Sequence, residues 1–237
     1  MKTLGVIGGL GPMATAYFLQ LIIQMNDANV DQEHIDTVVI SKVTIPDRTK
    51  YILDNSNKNP VQEMIMIGNK LQEIGAEIIA IPCITAHYFH KELERDIDIP
   101  IINALEKTAQ YLKQRGIEKA GILATDGTIE SNLFQNIFDR YGITCLVPEI
   151  ENQKKVMCII YNNIKAGKKV NLEEFEIVSN ELFAKGAQVI LLGCTELSLI
   201  KRDCNLAHGY LDVMEILAQE AVLNCGKLRE KYKELIT

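Results

Sequence analysis

The chain has 237 residues, 47 % hydrophobic and 24 % charged, a balance that suits a globular protein burying its core as one large domain or two small ones. The formal net charge of -6, with lysines scattered along the chain, gives no long-range attraction to phosphate backbones or anionic membranes, so neither nucleic acid nor membrane is an expected partner. No run approaches the roughly 20 apolar residues of a membrane span, and Met1-Lys2-Thr3-Leu4-Gly5 leads straight into a strand pattern, so a cytoplasmic location is expected.

The first β-branched run, TLGVIG at 3–8, predicts a strand followed by a helix from Pro12. IDTVVISKV at 35–43 predicts a second strand, then a loop and a helix over 60–74. EIIAIP at 77–82 follows, ending at Cys83. The pattern resumes with IPIIN at 99–103, KAGILAT at 119–125, TCLVP at 144–148 and AQVILLG at 187–193, each followed by helix-period sequence. A last helix is expected over 212–232, returning to the first half. This βαβ order predicts an α/β fold with parallel sheets covered by helices. The continuous run Ile78-Ile79-Ala80-Ile81 fits a strand buried on both faces.

The two halves echo each other. GVIGGLGPMATAYFLQLI from Gly5 is similar to GILATDGTIESNLFQNIF from Gly121, 116 residues on, and PCIT around Cys83 is matched by GCTE around Cys194, 111 residues on. Any two α/β segments share apolar runs ending in glycine, but the repeated order favours two similar parallel-sheet domains related by pseudo-twofold symmetry with the active site between them. The expected division is 1–102, completed by a C-terminal helix at about 208–237, and 103–207.

Six cysteines without CxxC spacing argue against both a disulfide framework and structural zinc. Reduced cysteines are mostly buried core residues. Cys83 and Cys194 differ in closing an apolar strand where a helix is expected to begin. Ligands of open parallel sheets bind beyond the strands' carboxyl ends, and Gly8–Pro12, Cys83–Thr85, Thr125–Thr128 and Cys194–Glu196 all fall there. A small anion is the natural guest. GGLGP matches neither a Walker loop nor GxGxxG, and a tight turn explains it as well as ligand contact does. A thiolate at a helix N-terminus has its pKa lowered from about 8.5 towards neutrality, so both cysteines are expected to be partly ionised. Two thiols facing one ligand from opposite sides suit inversion of a tetrahedral carbon, one removing a proton and the other delivering one. His87 and His90 lack further ligands at metal spacing, and no metal is expected.

The segments GVIGGLGPMATAYF, IPDRTKYI, PCITAH, ATDGTIESNLF, QKKVMCIIYNNIKAG and LLGCTELSLI, in this order over nearly the full chain, resemble the aspartate/glutamate racemase family, specifically its pyridoxal-phosphate-independent aspartate racemase branch. The resemblance implies an isomerase that needs no cofactor, interconverting L- and D-aspartate, with glutamate as an extension. It implies Cys83 and Cys194 as the two bases, Arg48 and Lys165 as carboxylate-binding groups, and a homodimer acting on a small acidic amino acid. Thr85, Thr125, Thr128 and Thr195 offer hydroxyls to the substrate, Gly11 joins these contacts, and Glu196 supports the second cysteine.

Each residue also has a plainer explanation. Arg48 follows Pro46-Asp47, and without the family resemblance a solvated loop arginine paired with Asp47 is favoured over a bidentate carboxylate clamp. Lys165 near a helix end at Gly167 meets the helix dipole in any case, and Glu196 fits a first-turn acid. The family motif Pro-Cys-Asn-Thr-Ala-His reads Ile84 here in place of the asparagine, and the segment after Cys204 keeps Asp212 but follows the family loosely. Ile84 leaves open a different substrate within the superfamily, or a protein that binds an acidic amino acid without catalysis.

Overall fold

The computed structural model describes residues 1–54, 56–204 and 206–237. The first apolar run forms strand β1 (Leu4–Gly8). Helix α1 (Pro12–Met25) begins at proline, whose missing N–H costs nothing in a first turn. Then come β2 (Thr37–Ser41), α2 (Arg48–Ile52), α3 (Val61–Glu73), β3 (Ile78–Ala80), a 3-10 helix over Ile84–Phe89, α4 (His90–Asp96) and α5 (Ala104–Gln114). The pattern repeats with β4 (Lys119–Leu123), α6 (Asp126–Glu130), α7 (Gln135–Phe138), β5 (Thr144–Leu146), α8 (Ile150–Met157), a π-helical stretch over Cys158–Ile164, α9 (Leu172–Ala184) and β6 (Val189–Leu192). Helix α10 (Ser198–Asp203), strand β7 (Tyr210–Asp212) and helix α11 (Val213–Cys225) follow.

The strands form two parallel sheets, ordered β2-β1-β3 and β5-β4-β6-β7. The order repeats, and so does the register: Gly5 faces Ile79 as Gly121 faces Ile190. The strand expected at 99–103 shrinks to one bridge between Ile79 and Ile101, in the place that β7 takes beside β6. Pro100 has no N–H with which to extend that ladder. The last helix also differs from expectation. Tyr210–Asp212 adds an edge to the second sheet, and α11 ends at Cys225, although it does pack on α1 of the first half and on α5.

Alternation along the strands sorts the core into layers. Val6 of β1, Ala120 and Ile122 of β4 and Val189 and Leu191 of β6 face a central core shared with α1, α5 and α11. Ile7 and Ile79 turn outward onto α3, while Leu123, Ile190 and Leu192 turn onto α8 and α9. Strands buried on both faces need apolar residues at every position, which is why these runs do not alternate with polar ones. Each fully buried Leu, Ile or Phe contributes about 1.5–3 kcal/mol, enough for the layers to fix the two sheets against one another.

That packing brings the carboxyl ends of β1, β3, β4 and β6 towards one region. Two glycines permit the approach. A Cβ on Gly127 would lie 2.9 Å from Cα of Thr49, and one on Gly11 would lie 2.7 Å from Oε1 of Glu196.

Candidate active site

Cys83 lies just beyond β3 and opens the 3-10 helix, and Cys194 lies just beyond β6 and opens a turn leading into α10. Both thiols are buried, and they line one small chamber with Arg48, Thr85, Thr125, Tyr161, Lys165 and Glu196. The chamber is small, about 270 Å³ of space between atoms including the part open to solvent. Leu10, Asp47, Arg48, Lys165 and Glu196 also border a wider cleft that reaches Gly11 and the exposed side chains of Met13 and Val43.

The expectation of two partly ionised thiols fails at Cys194. Its Sγ donates to Oε2 of Glu196 at 2.9 Å. Burial first, and then the Glu196 charge, push the thiol well above its ordinary pKa, while Lys165 and the Glu196 backbone N–H pull the other way without prevailing. Cys194 sits in a turn before α10, which begins only at Ser198, and the one backbone N–H that lowers its pKa is that of Glu196. Glu196 is itself buried, and its Oε1 has no hydrogen-bond partner among the described residues, the nearest cation being Nζ of Lys165 at 3.9 Å.

Lys165 comes from the end of the π-helical stretch, with its N–H bonded five residues back to the carbonyl of Ile160 at 3.0 Å. Its Nζ lies 4.0 Å from the centroid of the Tyr161 ring. Burial alone would lower the ammonium's pKa, but the charges of Glu196, Cys194, Tyr161 and Cys83 reverse the effect and raise it. Tyr161 escaped the sequence reading, although its i, i+4 spacing to Lys165 was a usable signal. Its hydroxyl donates to Oδ2 of Asp47 at 3.3 Å, across the two halves.

Asp47 is not the partner of Arg48. It caps α2, accepting from the Lys50 N–H at 2.9 Å, which makes Arg48 the first residue of a helix. The Arg48 side chain is 8 % exposed and forms no ion pair among the described residues. Nη1 donates to the carbonyls of Ile45 (3.3 Å) and Pro46 (2.9 Å), and Nη2 donates to that of Leu10 (3.0 Å). A guanidinium has five N–H groups, so Nε–H and one Nη2–H have no partner among the described residues and can grip a carboxylate.

Thr85 of the first half meets Thr125 and Thr128 of the second in a triangle of hydroxyls, with oxygens 3.0, 3.0 and 3.1 Å apart. Thr85, Thr125 and Thr195 reach the chamber; Thr128 stands behind them, fully buried, and Gly11 borders the outer cleft. Ile84 is on the chamber wall and buried. His87 serves the backbone. Its Nδ1 donates to the Cys83 carbonyl at 3.1 Å, and burial, followed by the neighbouring His90, holds its pKa down to about 4. His90 bonds the Ile101 carbonyl at 3.3 Å and faces Glu94 at 3.1 Å.

Comparison with known proteins agrees with this arrangement. Residues 7–221 match the Asp/Glu/hydantoin racemase family. A broad-specificity amino-acid racemase of Bacillus subtilis is 23 % identical over 228 residues, covering 92 % of this chain and 96 % of that one. A glutamate racemase of Shewanella woodyi is 23 % identical over 218 residues, 81 % and 80 % of the two chains. The solved structure of Picrophilus torridus aspartate racemase superposes with a TM-score of 0.87 at 30 % identity, covering 98 % of each chain. The chain therefore belongs to the Asp/Glu/hydantoin racemase family.

Proposed function

We propose that the protein racemises aspartate without a cofactor, by a two-base mechanism in which Cys83 and Cys194 act on opposite faces of the α-carbon. The observation that carries this reading is a single chamber bordered by both thiols and by Arg48, a buried cation with a free donor edge and no carboxylate of its own among the described residues.

Arg48 and Lys165 hold the two carboxylates of the substrate, and Glu196 faces its ammonium. Thr195 offers a hydroxyl donor to the bound carboxylates, and Thr85 and Thr125 do so by opening their triangle with Thr128, whose three bonds use all three hydroxyl protons. One cysteine, as thiolate, takes the α-proton; the electron pair left on carbon spreads into the α-carboxylate, held by the fixed cations; the opposite thiol then gives its proton to the other face. In one direction Cys194 is already the acid. In the other it first passes its proton to Oε2 of Glu196, 2.9 Å away, and then accepts the α-proton. The same reading, carried by family resemblance and composition, includes a homodimer in the cytoplasm.

A second reading extends the substrates beyond acidic amino acids. Ile84 gives the chamber an apolar wall, and the Bacillus subtilis relative has broad specificity by name. Chiral chromatography of L-aspartate, L-glutamate and neutral amino acids incubated with the protein and reductant tests both. Conversion of aspartate fastest supports the first reading, faster conversion of neutral amino acids supports the second, and no conversion of any contradicts both.

A further inference from the structure

Asp212 is fully buried and has no part in the chemistry above. The repeat supplies an internal control for it. Ile101 stands beside Ile79 as Tyr210 stands beside Ile190, which makes Asn103 the first-half counterpart of Asp212. Both cap the helix that follows. Oδ1 of Asn103 accepts from the Glu106 N–H at 3.1 Å, and Oδ1 of Asp212 accepts from the Met214 N–H at 2.9 Å. A neutral amide does that work in one half, whereas a buried carboxyl costs stability in the other. Capping alone leaves the acid unexplained.

Asp212 has a further contact that the counterpart lacks. The hydroxyl of Ser198 donates to its Oδ1 at 2.7 Å, while its Oδ2 is enclosed with no partner among the described residues. Ser198 is the first residue of α10, four after Cys194 and two after Glu196. The Glu196 carbonyl in turn accepts from the Leu199 N–H at 3.1 Å. Around this contact stand Glu215 of α11, Lys201 of α10, which pairs with Glu215 at 2.7 Å, and Tyr17 of α1. Burial, then the Glu215 charge, push the Asp212 carboxyl up to about 7, which reflects the cost of keeping an acid there.

We infer that Asp212 is a positioning residue for the Cys194-Thr195-Glu196 turn: through Ser198 it pins the start of α10 to the start of α11, and so fixes the thiol of Cys194 against the Glu196 carboxylate. The inference rests on the reading of Cys194 and Glu196 as an acid/base unit. A brace of this kind acts on one cysteine and leaves the other alone, which separates it from a general contribution to folding.

The test measures iodoacetamide alkylation of Cys194 and of Cys83 by peptide mass spectrometry, together with kcat and KM, in the wild type and in Ser198→Ala. Losing the brace frees the thiol from Glu196, so Cys194 should be alkylated at least about fivefold faster while Cys83 stays within about twofold. The kcat should fall about tenfold with KM within about twofold, as expected when a reacting group loses its alignment. Asp212→Asn keeps an Oδ1 acceptor and should lose less than Asp212→Ala; should the alanine variant fail to fold, Ser198→Ala carries the test by itself. Cys194 alkylation and kcat both within twofold of wild type in Ser198→Ala, or equal acceleration at both cysteines, would overturn the inference. A wild type without racemase activity, combined with the Cys194-selective change, would support the brace and sink the racemase reading alone.

Discussion

Cys83 and Cys194 close the same strand-to-turn step in the two halves, yet what holds them has diverged. Two residues after Cys83 comes Thr85, which joins a neutral triangle of hydroxyls; two after Cys194 comes Glu196, which accepts the thiol proton. Four residues after Cys83 comes His87, bonded to that cysteine's own carbonyl; four after Cys194 comes Ser198, bonded to Asp212. The strand register repeats, while the side chains that follow the two cysteines differ: neutral hydroxyls and a histidine after Cys83, a carboxylate and a serine after Cys194. Inversion of a carbon needs one acid and one base at a time, so unequal thiols are compatible with it, provided that each can be reset.

The largest effect should come from the sulfurs. Cys83→Ala and Cys194→Ala should each lower racemisation by about 10²–10⁴-fold or more, the range for losing a positioned acid or base, measured by chiral chromatography. Unchanged turnover in either variant would remove that cysteine from the chemistry. Glu196→Gln sharpens the comparison, because it makes the second turn as neutral as the first. Loss of the carboxylate should lower kcat by about 10²-fold and bring the Cys194 thiol down towards its ordinary pKa, readable as faster alkylation at pH 8. Arg48→Lys should raise KM for aspartate by about tenfold, since an ammonium cannot reproduce the free edge of the guanidinium.

His87 and Asp212 should also respond to acid in opposite senses. His87 has a folded pKa of about 4, below its ordinary 6.5, so the unfolded chain takes up a proton first and stability falls as pH drops from about 6.5 to 4. The full effect is roughly 3 kcal/mol. Burial and the Glu215 charge raise the folded Asp212 carboxyl above its ordinary 3.8, so the folded chain takes up a proton first and stability rises as pH falls towards that value. Urea unfolding at pH 7, 5.5 and 4.5 should show a flatter acid loss in His87→Asn and a steeper one in Asp212→Asn. Identical profiles for both variants and wild type would break the contrast.

Much of the fold was legible because both-face burial writes continuous apolar runs, and six of the seven expected strands formed with the repeat intact. The seventh, at 99–103, failed because Pro100 interrupts its ladder, and β7 was hidden in a segment too short to show a period. At the site, the repeated cysteine segments pointed to Cys83 and Cys194 facing one ligand, while Arg48 and Lys165 came only from the family resemblance; the structure lines one chamber with all four. The protonation of Cys194 was not legible: it depends on burial and on a carboxylate two residues on, in a turn that the sequence presented as a helix start. Asp47 capping α2 and Tyr161 under Lys165 likewise depend on how the two halves meet.

The most direct test of the central claim follows the α-proton of L-aspartate, and separately of D-aspartate, by proton NMR in heavy water with the reduced wild-type protein. Two opposed thiols predict that both signals decay while the opposite enantiomer accumulates carrying deuterium at the α-carbon. Exchange that returns only the starting enantiomer, or no exchange of either at substrate concentrations where binding is demonstrated, would contradict it.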